Sequence, residues 1–139
     1  MSFELLRPVS DKVVAHSALA PLQSIGRSIE LHTAKKGLPE LEGLQLAILG
    51  VPEARNAVQQ RHEPLDLDQW RLSFYSLMVG NWSLNIADLG DVPSGATAQD
   101  TYVLLKEITA ELLEHHITPI VIGASQDLTY ALYRAFDTV

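Results

Sequence analysis

The sequence contains no cysteine. This absence excludes disulfide bonds, thiolate zinc sites and a cysteine nucleophile, and it fits a reducing cytoplasm. No apolar run approaches the roughly 18 residues of a membrane-spanning helix. The first residues, "MSFELLRPVSDK", also lack the basic region and apolar core of a signal peptide. We therefore expect a cytoplasmic protein that has no membrane partner.

Basic residues are few as well. Lys and Arg number 10 against 17 Asp and Glu, which gives a formal net charge of −7. Nucleic acids and anionic membranes bind to a basic face, so we expect no nucleic-acid partner. The length of 139 residues and the hydrophobic content of 47% are typical of a single domain with a buried core.

Apolar runs alternate with helical patterns in the larger, C-terminal part of the sequence. Residues 1–43 mix helix formers with proline and glycine, and they predict an irregular segment with one or two short helices. Strands are predicted at 44–51, 83–92 and 117–123, and helices at 65–80, 94–116 and 126–137. Residues 44–139 thus form a βαβαβα portion. This order predicts an α/β fold with a parallel, doubly wound sheet within a single domain.

Ligands of such sheets lie beyond the carboxyl ends of the strands. The loops 50–64, 88–97 and 123–127 are therefore the candidate binding regions. Asp88 and Asp91 lie in the second of these loops, where carboxylates could bind a metal or a substrate. The same segment, "DLGD", is also typical of a tight turn in which each Asp accepts hydrogen bonds from nearby amides. The turn is the favoured interpretation.

The third loop, "GASQD", joins a predicted strand to a predicted helix. Ser125 is a candidate N-cap, and the free amides of the helix start, next to Asp127, favour an anion or a carboxylate. A phosphate-binding loop is disfavoured because the segment has no lysine and a single glycine. Ser125 also lacks the flanking glycines of a nucleophile elbow.

Arg71 and the histidines have simpler interpretations. Arg71 could contact the loop face, but a structural salt bridge is favoured. His115 and His116 end the helix 94–116 and point in different directions, which favours a capping or surface role over a metal site. Three isolated histidines are expected to be solvated or hydrogen-bonded: His16, His32 and His62.

Four segments carry a resemblance to a known family: "LAILGVPE", "WRLSFYSL", "IADLGDV" and "PIVIGASQDLTYALYRAF". Over about residues 44–137, the chain resembles the start of the arginase–agmatinase–formimidoylglutamase family, the ureohydrolases, and most of all the formimidoylglutamase branch. The resemblance implies a three-layer α/β/α fold around an eight-stranded parallel sheet. It also implies two manganese ions that activate a water for attack on a guanidino or formimino carbon.

Two departures from the family pattern bear on activity. The third strand of the family ends in Gly-Gly-x-His, and the position of this metal-binding histidine is Gln126 here. A neutral amide is a poorer ligand than imidazole, so the resemblance implies an impaired metal position. The Asp-x-His-x-Asp and Asp-x-Asp-x-x-Asp motifs of the family do not occur in the 139 residues. We therefore expect the N-terminal part of a ureohydrolase-like protein that is inactive alone and binds no manganese.

Two other functions remain open. The chain could be a non-catalytic interaction or assembly module derived from the same family. It could also be a small nucleotide-binding α/β domain, which the missing phosphate loop disfavours. The resemblance further implies that strand 117–123 presents an open apolar edge. Such edges pair with other strands, so we expect a homo-oligomer that covers this edge.

Overall fold

The computed structural model describes residues 2–58, 65–123 and 125–139. Its centre is a parallel sheet with the strand order β1-β3-β2-β4. The strands are β1 (Glu30–Leu31), β2 (Leu46–Val51), β3 (Ile86–Asp91) and β4 (Thr118–Gly123). The helices are a short 3₁₀ helix (Ser2–Leu5), α1 (Asp11–Leu19), α2 (Ile25–Ser28), α3 (Asp68–Tyr75), α4 (Ala98–Glu114) and α5 (Leu128–Thr138). Helices cover both faces of the sheet, which confirms the three-layer α/β/α class.

Alternate residues of β2 supply the two cores. Ala47 and Leu49 point to one face, where they pack with α4, α5 and the 3₁₀ helix. Ile48 points to the other face and packs with residues of α1 and α3, among them Val13 and Tyr75. Successive side chains of a strand point to opposite faces, so a strand that is apolar throughout must be covered on both sides.

Helix α4 is shorter than the predicted helix 94–116, since it begins at Ala98 and ends at Glu114. Thr97 caps it, because the Asp100 amide donates to Thr97 Oγ1 at 3.3 Å and the Thr97 amide donates to Asp100 Oδ2 at 3.1 Å. At the other end His116 adopts a positive φ of 59°, and the amide of Ile117 donates back to the carbonyl of Leu112 at 2.9 Å. This reversal directs the chain into β4.

The N-terminal segment contains the expected short helices and also a strand that the pattern did not indicate. β1 has only two residues, too few for a recognisable alternation. It lies along the outer side of β3, where the His32 amide donates to the Asp88 carbonyl at 2.9 Å. Farther along β3, Arg7 and Asp91 exchange two backbone hydrogen bonds of 2.9 Å each. The N-terminal segment thus covers this side of β3.

Two local predictions were wrong. The predicted helix 65–80 ends at Tyr75, because the chain after it pairs with residues 23–25. The Ile25 amide donates to the Leu77 carbonyl at 2.7 Å, and this pairing competes with further helix. The predicted Gly-Asp turn in "DLGD" is instead part of β3, which continues to Asp91. Gly90 keeps the strand going in a conformation with φ of 88° that suits glycine.

Candidate functional site

β3 carries a buried ionic network that is centred on Asp88, which lies inside the strand and not in the expected loop, and that reaches Asp91 at the carboxyl end. Arg71 and Tyr75 lie four residues apart on α3, so their side chains share a face. Arg71 donates from Nε to Asp88 Oδ2 at 2.8 Å and from Nη2 to Asp88 Oδ1 at 3.1 Å. Tyr75 donates its hydroxyl to Asp88 Oδ2 at 2.6 Å, and the Gly90 amide donates to Asp88 Oδ1 at 3.0 Å. Both oxygens of this fully buried carboxylate are therefore occupied by the protein itself.

Asp91 extends this network towards solvent. Its Oδ1 accepts from Arg71 Nη1 at 2.8 Å, and its side chain is 27% exposed. Gly50 of β2 makes this approach possible, since a Cβ built there would overlap Asp91 Oδ1 and lie 3.0 Å from Arg71 Nη2. A glycine at this position of β2 is thus required by side chains from β3 and α3.

The charges of this network stabilise one another. Burial acts to lower the pKa of Arg71, but the hydrogen bond and charge of Asp88, together with those of Asp91, outweigh it and raise that pKa. Burial, followed by the charge of Asp88, also raises the pKa of Tyr75. The tyrosine therefore stays a hydrogen-bond donor at neutral pH. The structural salt bridge predicted for Arg71 is confirmed. Asp88 does accept from a nearby amide, but within a strand and not in the expected turn, and Asp91 accepts from Arg71 instead.

A second network begins at the carboxyl end of β2. Glu53 is 1% exposed, and Arg55 binds its carboxylate from Nε at 2.9 Å and from Nη2 at 2.5 Å. Thr101 of α4 donates to the same carboxylate at 2.8 Å. Arg55 also donates to the carbonyls of Gly95 and Ala96, at 2.8 and 2.9 Å. Glu53 and Arg55 thus connect the loop after β2 with the loop after β3.

The hydrogen bond from Arg55 is the main reason why the pKa of Glu53 is low. It lowers the pKa of Glu53 from 4.5 to about 2, against the opposing effect of burial. Glu53 is therefore ionised throughout the physiological range. A carboxylate with so low a pKa is a poor general base near neutral pH, which favours a role in positioning the loops.

The loop after β4 joins this second network. Ser125 donates its hydroxyl to the Glu53 carbonyl at 3.2 Å. Asp127 Oδ2 accepts from the hydroxyl of Tyr102, which in turn accepts from Asn56 Nδ2 at 2.9 Å. The other oxygen, Asp127 Oδ1, is buried and has no hydrogen-bond partner among the described residues. Gln126 lies between these two anchored residues with its side chain exposed.

The N-cap role expected for Ser125 was wrong. Helix α5 begins at Leu128, so Asp127 occupies the cap position, without a capping bond from its side chain. The hydroxyl of Ser125 is instead directed at the Glu53 carbonyl, 72 residues away in the sequence. A backbone carbonyl oxygen accepts a hydrogen bond but is too weak a base to remove the hydroxyl proton. This contact therefore does not activate Ser125 as a nucleophile.

The structure divides the candidate residues between the two networks. Asp88 and Asp91 belong with Arg71, whereas Ser125 and Asp127 belong with Glu53. Within the described ranges, no group of three or more histidine or acidic side chains is placed to hold a metal ion. Sequence reasoning missed six members of the networks: Glu53, Arg55, Asn56, Thr101, Tyr102 and Tyr75. A charged pair directly after an apolar strand, "VPEAR", was the available signal for the first of them.

The histidines that the structure describes share no side-chain hydrogen bond with either network. His32 is buried, with Nδ1 2.9 Å from the Leu89 carbonyl, as expected of a hydrogen-bonded histidine. His115 caps α4, with Nδ1 2.8 Å from the Glu111 carbonyl. His16 is exposed on α1, and His62 lies outside the described residues.

Comparisons with other proteins leave the family open. The chain matches none of the protein-family models compared with it, and no curated protein matches it either. In the part of the chain that the structure describes, every helix is too short or too polar to cross a bilayer.

Proposed function

We propose that this chain corresponds to the N-terminal part of a ureohydrolase-like protein, nearest to the formimidoylglutamase branch, and that it does not hydrolyse linear amidines by itself. The observation that carries the proposal is Gln126. This residue lies just beyond the carboxyl end of β4, where the resemblance puts a metal-binding histidine, and it presents an exposed neutral amide. A single neutral amide supplies no charge to balance a dication, so it is a weak metal position by itself.

The neighbouring carboxylates also argue against a dimanganese site. Asp88 is taken up by Arg71, Tyr75 and the Gly90 amide, which leaves neither of its oxygens for a cation. Asp127 keeps one buried oxygen without a partner among the described residues, and a single such atom does not make a dimanganese site. The side chains of the described residues therefore do not fit two manganese ions, and we propose no catalytic step that uses such ions.

The test is a product assay with manganese present. Purified protein is incubated with manganese chloride and, separately, formimidoylglutamate, arginine and agmatine. We expect no formamide or urea above the level of the buffer control. A Gln126→Ala variant is measured beside it. Turnover that this substitution abolishes would contradict the proposal, because it would make the amide part of a working site.

A second candidate function is a non-catalytic assembly module that forms a homo-oligomer through strand 117–123. The observation that favours it is the position of β4 at the edge of the sheet, next to exposed aromatic side chains of α5. Light scattering at tens of micromolar protein should give a mass above that of one chain. A monomer at this concentration would contradict the assembly role. It would leave untouched the proposal that the chain does not hydrolyse linear amidines by itself.

A further inference from the structure

The free side of β4 has a defined pattern of backbone groups. β4 pairs with β2 along all six of its residues, from Thr118 opposite Leu46 to Gly123 opposite Val51. The Thr118 amide donates to the Gln45 carbonyl at 2.9 Å, so it points towards β2. Backbone groups alternate in direction along a strand, and the amides of Val121 and Gly123 therefore point outwards.

Pro119 fits this alternation. It also occupies an outward position, where its missing amide hydrogen removes no bond to β2. The free edge thus offers the N–H groups of Val121 and Gly123 and the carbonyls of Pro119 and Val121. The matching partner is an extended strand that has carbonyls opposite the two donors.

A second copy of β4 is such a strand. In an antiparallel pair centred on Val121, each Val121 amide faces the carbonyl of Val121 in the other copy. Each Gly123 amide then faces the carbonyl of Pro119 in the other copy, and the proline lies where no donor is needed. Every outward N–H of the strand finds an acceptor in this register. Such a two-fold interface uses the same patch on both copies.

Helix α5 extends the same patch beside the strand. A groove of about 290 Å³ runs between β4 and α5, lined by Val121, Gly123, Leu132 and neighbouring residues. The aromatic residues of α5 are exposed by 58 to 64%: Tyr130, Tyr133 and Phe136. A two-fold axis at Val121, perpendicular to the sheet, puts both α5 helices on one face, beside each other and antiparallel.

The charge of this region favours a second copy over a strongly charged partner. Residues 118–139 contain two acids, Asp127 and Asp137, and one base, Arg134, so their net charge is −1. The other residues of the chain carry the remaining −6 of the total of −7. Two copies therefore meet with little repulsion at this region.

The area that this patch can bury is also of the order that a stable dimer needs. A buried aromatic side chain covers roughly 150–250 Å², so three that are about three-fifths exposed offer on the order of 300–450 Å². A stable dimer buries about 800 Å² per partner. The aromatic row supplies about half of this area, and the groove and strand edge extend it.

We infer that two copies of this chain pair antiparallel along β4, with Val121 on the two-fold axis and the α5 helices packed against each other. The result is a continuous eight-stranded sheet across the dimer. This inference rests on the assembly role proposed above, to which it adds the partner, the register and the second contact.

The absence of cysteine allows a clean test of the register. Residues opposite each other in a hydrogen-bonded antiparallel pair have Cα atoms about 5.5 Å apart, within the range of a disulfide. A Val121→Cys variant under mild oxidation should therefore become mostly a disulfide-linked dimer. The control is Leu19→Cys on α1, a site that is 86% exposed and far from β4 in the fold. It should cross-link at least tenfold more slowly.

A second measurement tests the helix contact on the chain without cysteine. Light scattering from tens of micromolar protein downwards should show a dimer, and Phe136→Lys should raise its dissociation constant at least tenfold. Leu19→Lys, an equally exposed apolar-to-lysine change, should leave that constant within twofold. Equal effects of the two lysines would overturn the contact between α5 helices.

The outcomes separate the inference from the proposal beneath it. A dimer whose Val121→Cys variant cross-links no faster than the control overturns the register and keeps the assembly role. A monomer at tens of micromolar overturns both. Product release in the manganese assay would contradict the absence of hydrolysis in both proposed functions, but it would leave the dimer and its register untouched.

Discussion

The two sides of the sheet differ in what covers them. On the β3 side, β1 and then Arg7 of the N-terminal segment pair with the strand, and they continue as far as its last residue, Asp91. On the β4 side, the strand pairs with β2 and has no other strand beside it in the described part of the chain. One side of the sheet is thus closed by the chain itself, and the other is open.

The difference explains why similar residues have dissimilar roles. Asp88 is the third residue of β3, whereas Asp127 lies four residues beyond the end of β4. On the closed side, burial forces full pairing, because an unpaired buried charge is costly, and Asp88 accepts four hydrogen bonds. On the open side, Asp127 remains half-buried, and one of its oxygens has no partner among the described residues. In this fold, the carboxylate that the chain buries completely is the one whose two oxygens are both paired.

The largest expected effect is at the centre of the closed side. Arg71→Met leaves the buried charge of Asp88 without its cation, and we expect a loss of about 3–5 kcal/mol in the free energy of unfolding. Urea unfolding followed by tryptophan fluorescence measures it. The control, Lys12→Met on the exposed face of α1, should change that free energy by less than about 0.5 kcal/mol.

A double variant shows whether this loss comes from the charge. Asp88→Asn removes the charge and keeps one acceptor oxygen, which the Gly90 amide can use, while its NH2 group can donate to the Tyr75 hydroxyl. Combined with Arg71→Met, it should be destabilised by clearly less than the sum of the two single variants. Strict additivity would contradict the buried ion pair as the reason for the loss.

The next largest effect tests how the N-terminal segment packs against β3 on the closed side. Gly90 has a φ of 88°, and a Cβ there would overlap the carbonyl of Arg7. Gly90→Ala should therefore cost about 3 kcal/mol in the free energy of unfolding, from backbone strain together with displacement of the N-terminal segment. Gly43→Ala is the matched control, since Gly43 has a φ of 83° with nothing within 4 Å of its Cβ. That change should cost about 1 kcal/mol, and equal costs at the two sites would rule out the close packing against Arg7.

The open side was the more predictable from sequence. Its strand and its helix have clear sequence patterns. The predicted strand 117–123 and helix 126–137 differ from β4 and α5 by two residues or fewer at each end. The closed side depends on contacts between distant segments. β1 is too short to show a pattern, and the end of α3 is set by pairing with residues 23–25. Local sequence does not contain that information.

The candidate site was predictable to a similar degree. Arg71 was expected in a salt bridge, because a charge beside apolar residues on an amphipathic helix must be paired when it is buried. Its partners, Asp88 and Asp91, could not be paired with it from spacing alone. Glu53 was missed because its main partner lies two residues away in a loop whose conformation no periodic pattern describes.

The smallest effect concerns Glu53, which links the loops beside the open side. Its folded pKa of about 2 lies below the ordinary 4.5, so its contribution to stability is complete above about pH 4.5 and is lost as the pH falls towards 2. Arg55 is 36% exposed, and solvent screening reduces this contribution to roughly 2 kcal/mol. Urea unfolding between pH 6 and pH 2.5 should show that Glu53→Gln flattens the loss at low pH. Glu114→Gln, at an exposed acid of α4, should leave the profile unchanged. If Glu53→Gln kept the full acid sensitivity, the ion pair with Arg55 would not be its cause.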